Sequence, residues 1–219
     1  MAELETEVAG ERVVLLPERA LYLPRAGALL VADPHWGKAA AFRAAGVPVP
    51  GGTTTEGLAR LTRALERSGA ARLVILGDLF HAREAKSPAT LQAALDWRAR
   101  HASLPVTLIR GNHDRHAGDP PGELGIDCCD PPCAEPPFVL AHHPFDSPRG
   151  YVLAGHVHPS VTLRGVGRQR QRLPCFHFGA RRGILPAFGE FTGTADVSVA
   201  PGDRVYVVAD GQVIQIAAG

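Results

Sequence analysis

Apolar runs and polar stops alternate along this chain, and that alternation predicts its framework. Five runs, 28–32, 73–76, 106–109, 138–141 and 151–154, have the length and the Leu, Val and Ile content of buried strands. Each run stops at polar side chains. The first leads to Asp33 and His35, the second to Gly77 and Asp78, and the third to Gly111, Asn112, His113 and Asp114. The fourth leads to His142 and His143, and the fifth to Gly155, His156 and His158. Imidazoles, carboxylates and an amide at the ends of buried strands are costly to assemble unless they bind or react with something.

Helical spacing fills the gaps in the first half. Residues 36–45 read as an alanine-rich helix closed by Gly46. Thr53 and Glu56 match a capping box, followed by Leu58, Leu61 and Leu65 on one face and a stop at Gly69. Ser87-Pro88 caps and opens a helix to about Arg100. Shorter strands are expected at 13–16 and 21–23, and a long Pro- and Gly-rich surface loop over 117–137. From residue 159 onward the helical period disappears. Segments 160–164, 175–178, 195–199 and 204–209 read as strands, and Asp210-Gly211 is a hairpin turn. Strand–helix alternation followed by strands predicts two packed sheets with helices outside, in one domain spanning residues 1–219.

Composition narrows the class. A chain of 219 residues that is 45% hydrophobic can bury a sizeable core. The net charge of +1 excludes bulk attraction to an acidic partner, so a nucleic-acid surface must be local. The acidic start, Met1 to Glu7, lacks the apolar core of a signal peptide, and no run approaches the ~20 residues of a membrane span. The expectation is a cytoplasmic protein with no membrane contact. The four cysteines lack paired zinc spacing and are expected as free thiols.

The polar stops define the chemistry. Asp33, His35, Asp78, Asn112, His142, His156 and His158 mix carboxylate, amide oxygen and imidazole without thiolate, which suits Mn²⁺, Fe or Zn²⁺. Seven ligands are too many for one tetrahedral ion and suit two ions that share a carboxylate. Such a pair activates water for in-line attack at phosphorus. His113 stands beside a ligand and is expected to be the general acid, oriented through its other ring nitrogen by Asp114. For substrate, six arginines and no acid lie between Val161 and Arg182, among them Arg164, Arg168, Arg170 and Arg172. Lys38, Arg43, His81 and His143 are further candidates for contact with a phosphate.

Asp33-Pro-His35, Gly77-Asp78, Gly111-Asn-His-Asp114, His142 and Gly155-His-Val-His158 resemble, in order and context, the calcineurin-like binuclear metallophosphoesterases. The segments at 17–22, 37–43, 47–51, 77–81 and 185–193 are similar to the ligase-associated DNA-damage-response members of that superfamily. The resemblance implies a four-layer α/β/β/α sandwich of two mixed sheets flanked by helices. It implies one metal on Asp33, His35 and His158, another on Asn112, His142 and His156, and Asp78 between them. It further implies a Mn²⁺-dependent endonuclease for single-stranded DNA, working in repair with a helicase, an exonuclease and a DNA ligase. Position 81 is His where the wider superfamily often has Asp. The alternatives are a phosphatase or cyclic-nucleotide phosphodiesterase for a small substrate, and a non-catalytic scaffold on the same fold.

Overall fold

The computed structural model describes residues 2–44, 46–49, 52–165, 167 and 169–216. The first sheet is built, in order, from β1 (Leu4–Val8), β2 (Glu11–Leu16), β3 (Ala20–Leu23), β4 (Ala28–Val31), β5 (Arg72–Ile75), β6 (Val106–Ile109) and β7 (Ile126–Cys129). Its strands are antiparallel up to β4 and parallel from β4 to β7. The connections between the parallel strands carry the helices α1 (Lys38–Ala44), α2 (Thr53–Ser68), α3 (Pro88–Arg100) and α4 (Asn112–Ala117).

The second sheet contains β8 (Cys133–Glu135), β9 (Phe138–Leu140), β10 (Tyr151–Ala154), β11 (Pro159–Arg164), β12 (Arg170–Phe178), β13 (Arg182–Ile184), β14 (Ala195–Asp196), β15 (Arg204–Ala209) and β16 (Gln212–Ile216). Its order is β14-β11-β12-β13-β10-β9-β8, with β15 and β16 branching from β12.

Two layers of core hold the sheets in place. Leu15, Leu30, Val74 and Ile109 of the first sheet meet Phe138, Leu153, Phe176, Phe178 and Tyr206 of the second. On the other face of the first sheet, Leu29, Val31, Leu73, Ile75 and Leu108 take Leu58, Leu61 and Leu65 of α2 and Ala94 and Trp97 of α3. Strand β4 is therefore apolar at every position because both of its faces are covered. Truncating Leu30 in such a core costs about 2–5 kcal/mol.

The expected sandwich of two mixed sheets is present, with its helices unevenly shared. Every described helix precedes β7. On the far face of the second sheet, Leu173, Cys175, Val205 and Val207 pack under Val161, Val197 and Ile216. No helix among the described residues is long and apolar enough to cross a membrane.

Local expectations met mixed outcomes. Ser87 caps α3 by accepting from Thr90 N at 3.3 Å, Gly69 closes α2 in the left-handed conformation, and Asp210-Gly211 joins β15 to β16 with positive φ at both residues. The capping box does not form. Gly52 is the cap of α2 and makes no side-chain bond, while Thr54 Oγ1 instead accepts from Gly37 N at 3.0 Å. The segment 117–137 is not a loop throughout. It contains β7 and β8, and Cys129 at the end of β7 is disulfide-bonded to Cys133 at the start of β8. The expectation of four free thiols is thus corrected to two, Cys128 and Cys175. The pairing is invisible once both strands are read as a loop, because nothing then brings the edges of the two sheets together.

Candidate metal centre

The parallel strands β4, β5 and β6 deliver their C-terminal ends to one edge of the sandwich, and β9 and β10 deliver theirs beside them. The turns that follow are strained in the same way. Asp33, His35, Asp78, His156 and His158 all have φ between 46° and 68°. Left-handed backbone costs a residue with a Cβ about 1–2 kcal/mol. Such conformations persist only where surroundings impose them. Here Asp33 N donates to Gly77 O at 3.2 Å, His35 N to Asp78 O at 3.0 Å, and Gly189 N to Asp33 O at 3.0 Å. Gly77 is required twice over. Its φ is +83°, and a Cβ there would lie 2.3 Å from His142 Nδ1.

The polar atoms converge in two groups. His142 is fully buried, and its Nδ1 donates to Leu76 O at 3.0 Å. That bond leaves the Nε2 lone pair facing Asn112 Oδ1 at 2.9 Å, His156 Nδ1 at 3.1 Å and Asp78 Oδ1 at 3.4 Å. In the second group His158 Nδ1 donates to Gly193 O at 2.8 Å, which turns its Nε2 lone pair toward Asp33 Oδ1 at 3.5 Å. Both facing atoms are buried without a hydrogen-bond partner. His35 Nε2 lies 3.9 Å from Asp78 Oδ2. Asp78 thus presents one oxygen to each group. Lone pairs aimed at one another in a buried space repel unless a cation lies between them, so the donor set fits divalent metal.

The electrostatics agree with that fit. Burial, reinforced by the Lys38 charge, pushes His35 down to about 2, and burial also lowers His156 and His143. These imidazoles are neutral at pH 7 and keep a lone pair for a ligand bond. Burial lowers His158 too, but the Asp33 carboxylate outweighs it and leaves the group raised. Burial raises Asp78, and the nearby Asp33 charge adds to the effect. Two carboxylates in one buried space call for a compensating cation.

Three clusters have ligand-type atoms within 4.8 Å of one another: Asp33–His35–His158, Asp33–Asp78–His142 and His142–His143–His156. Both members of the histidine doublet reach the last cluster. His142 is buried inside it, whereas His143 is exposed and stands against the His156 ring at 4.0 Å.

His113, the second residue of α4, lies at the rim. Its Nδ1 donates to the carbonyl oxygen of His81, and its ring stacks on the His81 ring at 5.0 Å. Its Nε2 then points inward, 3.9 Å from Asp78 Oδ2. The expected partnership with Asp114 is corrected here. Asp114 is buried and accepts from the backbone N–H groups of Asp78 at 2.7 Å, Leu79 at 3.0 Å and Gly111 at 2.8 Å. It ties the β5 turn to the β6 turn and does not reach the His113 ring.

The remaining sequence candidates scatter. Lys38 lies close enough for Asp33 and Asp78 to act on its charge, and burial lowers its ammonium. Arg43 is exposed near the end of α1. Burial pushes His81 down to about 4, and it lines an open cleft with Arg83, Asn112, His113 and His116. Arg164 and Arg170 face each other across the β11–β12 hairpin. Arg172 is held by Asp196 at 2.8 Å, and Arg168 lies outside the described residues.

Reading side chains missed the support that comes from backbone. The loop after β13 supplies Gly189 N to Asp33 and Gly193 O to His158. It is anchored by Arg60, which bonds Phe188 O and Glu190. A run of small and aromatic residues gives no chemical signal for such a role. Arg83 also lines the cleft beside His113, a place the sequence does not signal, since it follows no apolar run that would put it at a strand end.

A family model for calcineurin-like phosphoesterases matches residues 28–179. No curated protein matches the chain. Among solved structures, the nuclease MPE of Pseudomonas putida is similar over 98% of this chain and 100% of its own, with 46% identity and a TM-score of 0.88. Yfce, a phosphoesterase from E. coli, is 15% identical, with 87% of this chain and 98% of that chain covered at a TM-score of 0.43.

Proposed function

The chain belongs to the calcineurin-like phosphoesterases, metal-dependent hydrolases of phosphate esters, and we propose that it is an endonuclease that hydrolyses phosphodiester bonds in single-stranded DNA. The observation that carries this reading is likeness along the whole chain to a solved nuclease. The two groups of converging ligand-type atoms that Asp78 joins support it. We assign Asp33, His35 and His158 to one metal, Asn112, His142 and His156 to the other, and Asp78 to both, with Mn²⁺ as the working ion. We place the activity in DNA repair, beside a helicase, an exonuclease and a DNA ligase, on the strength of the sequence resemblance.

Bound divalent ions supply charge neutralisation at the phosphoryl oxygens and an acidified water at neutral pH. The chain's own residues do the rest. Leu76 O and Gly193 O fix the tautomers of His142 and His158, so that their Nε2 atoms are the ligand atoms. Asp114 locks two ligand-bearing turns together. His81 O holds the proton of His113 on Nδ1, so that a second proton on Nε2 is the one given to the departing oxygen. His113 adjoins the open cleft, so the departing strand leaves on that side.

The test is cleavage of circular single-stranded DNA beside a chromogenic phosphodiester and a chromogenic monoester, with the metal varied. We expect Mn²⁺-dependent nicking of the circle. Turnover of the monoester alone would sink the nuclease reading in favour of a small-substrate phosphatase. His113→Ala separates acid catalysis from folding. It should keep metal content and lose about 10²–10⁴-fold in rate on DNA, with much less loss on a nitrophenyl ester, whose leaving group needs no proton. Equal losses on both would remove the general-acid role.

A further inference from the structure

Phe191 stands out on three counts. It is a large aromatic left 46% exposed, and no other ring packs on it among the described residues. Its backbone is left-handed at φ 55°. A bulky side chain in that region is a true outlier and has to be held there. It also lies in the loop whose flanks touch the metal centre, between Gly189, bonded to Asp33, and Gly193, bonded to His158.

The loop is clamped on both sides of this residue. Before it, Phe188 is buried and Glu190 pairs with Arg19 and Arg60. After it, Ala195 N donates to His158 O at 3.1 Å, and Arg172 of the arginine hairpin donates to Thr194 Oγ1 at 3.4 Å. A flexible loop would let Phe191 turn inward and relax its φ. This one holds an unshielded ring in the loop that supports the site, and hydrogen bonding ties that loop to the cationic hairpin.

We propose that Phe191 is a nucleobase-stacking residue that makes the site select unpaired DNA, a proposal that rests on the nuclease reading above. A base can lie on an exposed aromatic ring only when it is free of its partner strand, and every base has a face to offer. Phe191 thus supplies strand selectivity without sequence preference. Arg172 and the hairpin beyond it lie along the backbone of the same strand.

Three variants test this. Both native tryptophans, Trp36 and Trp97, are buried at 2% and 1% exposure, so Phe191→Trp adds the one indole that DNA can quench. We expect saturable quenching by an oligo(dT) probe in metal-stripped protein, where no cleavage interferes. Phe191→Ala should raise KM for oligo(dT) about 5- to 100-fold, as loss of one stack implies. Its loss on a nitrophenyl diester should be at least five times smaller, and its preference for single over double strands should narrow. Phe191→Gly should share those defects yet melt higher than wild type, because glycine adopts the φ without strain. Unquenched Phe191→Trp emission would overturn the proposal. So would equal losses on DNA and the diester, or a lower melting point for Phe191→Gly, which would mark a structural ring. Wild-type protein that turns over the diester but neither binds nor cuts DNA would instead overturn the nuclease reading, and this proposal with it.

Discussion

At the turns after β4, β5 and β10, five residues with side chains hold left-handed backbone, and Asp33, His35 and Asp78 among them are buried. In the β11–β12 hairpin, which begins one residue after His158, Arg164, Arg170 and Arg172 are exposed in regular strand pairing. One region fixes a few atoms through backbone strain and buried hydrogen bonds. The other offers charge on long, solvent-exposed stems. Chemistry at phosphorus needs the first kind of construction, since an ångström of displacement costs rate steeply. Holding a polyanion needs only the second. Breaking the turns should therefore act on folding and metal retention together, whereas breaking the hairpin should act on salt-dependent binding alone.

The largest expected effect is at Asp114. Replacing it with Ala strands three buried N–H groups, on Asp78, Leu79 and Gly111. Removing one partner of a buried charged group costs about 3–5 kcal/mol. Chemical denaturation should read that loss, and bound metal should fall with it. Asp114→Asn separates this role from one as the proton partner of His113. It should lose stability with no dependence of rate on the leaving group. A stable Asn variant with a leaving-group defect would restore the partnership that the hydrogen bonds deny.

Gly77→Ala comes next. The added methyl group meets His142 Nδ1 at 2.3 Å in a backbone conformation that only glycine takes without strain. Strain and overpacking together cost about 2–4 kcal/mol. The His142–Leu76 bond should break, so metal analysis after Mn²⁺ loading should read fewer ions per chain. Full loading with unchanged stability would mean that the turn does not position His142.

These two sites mark the boundary of what the sequence reveals. Asp33, His35, Asp78, Asn112, His142, His156 and His158 were legible because each ends an apolar run, and the structure gathers them at one edge. Asp114 was legible as a polar residue but not as a backbone clamp, because its partners are N–H groups that every residue carries. The same holds for the carbonyls of Leu76, His81 and Gly193. In the fold, β4, β5, β6, β9 and β10 declared themselves by hydrophobicity, and α2 by its leucine stripe. β1 did not, because its glutamates alternate with Leu4, Thr6 and Val8 and dominate a reading by charge. β7 and β8 are short, bracketed by prolines, and form through pairing with distant neighbours. α4 has no apolar stripe at all and opens where Asp114 caps its first turn.

Acidity should strain the metal-free turns in a graded way. The folded-state values of His35, about 2, and His81, about 4, lie below the unfolded value near 6.5. Between those limits the unfolded chain binds more protons, so folding stability falls as pH falls below about 6.5. His158, raised by Asp33, and Asp78, raised by burial, oppose the trend. For a buried group such as His35 the slope is at most about 1.4 kcal/mol per pH unit. The melting temperature of metal-stripped protein should decline from pH 6.5 to 5.5 and stay nearly level from 7.5 to 6.5. A flat profile throughout would show that water reaches these rings more freely than their burial implies.

The smallest effect is expected at the hairpin, and it should differ in kind. Arg164 and Arg170 have no ion-pair partner among the described residues, whereas Arg172 is held by Asp196. A single-stranded polyanion contributes a salt slope of about 0.7 per neutralised phosphate. Arg164→Ala with Arg170→Ala should therefore reduce the slope of log Kd against log salt by about 1.4 and leave the melting temperature unchanged. Arg172→Ala should reduce it by less, since part of its charge is already met. From His158 to Arg164 the strand spans about 20 Å, so on the proposed reading these arginines would meet nucleotides well away from the scission point. Accordingly kcat on saturating DNA should not change. A fall in kcat with an unchanged salt slope would mean that the hairpin shapes the centre rather than holding the strand, and the contrast between the two regions would dissolve.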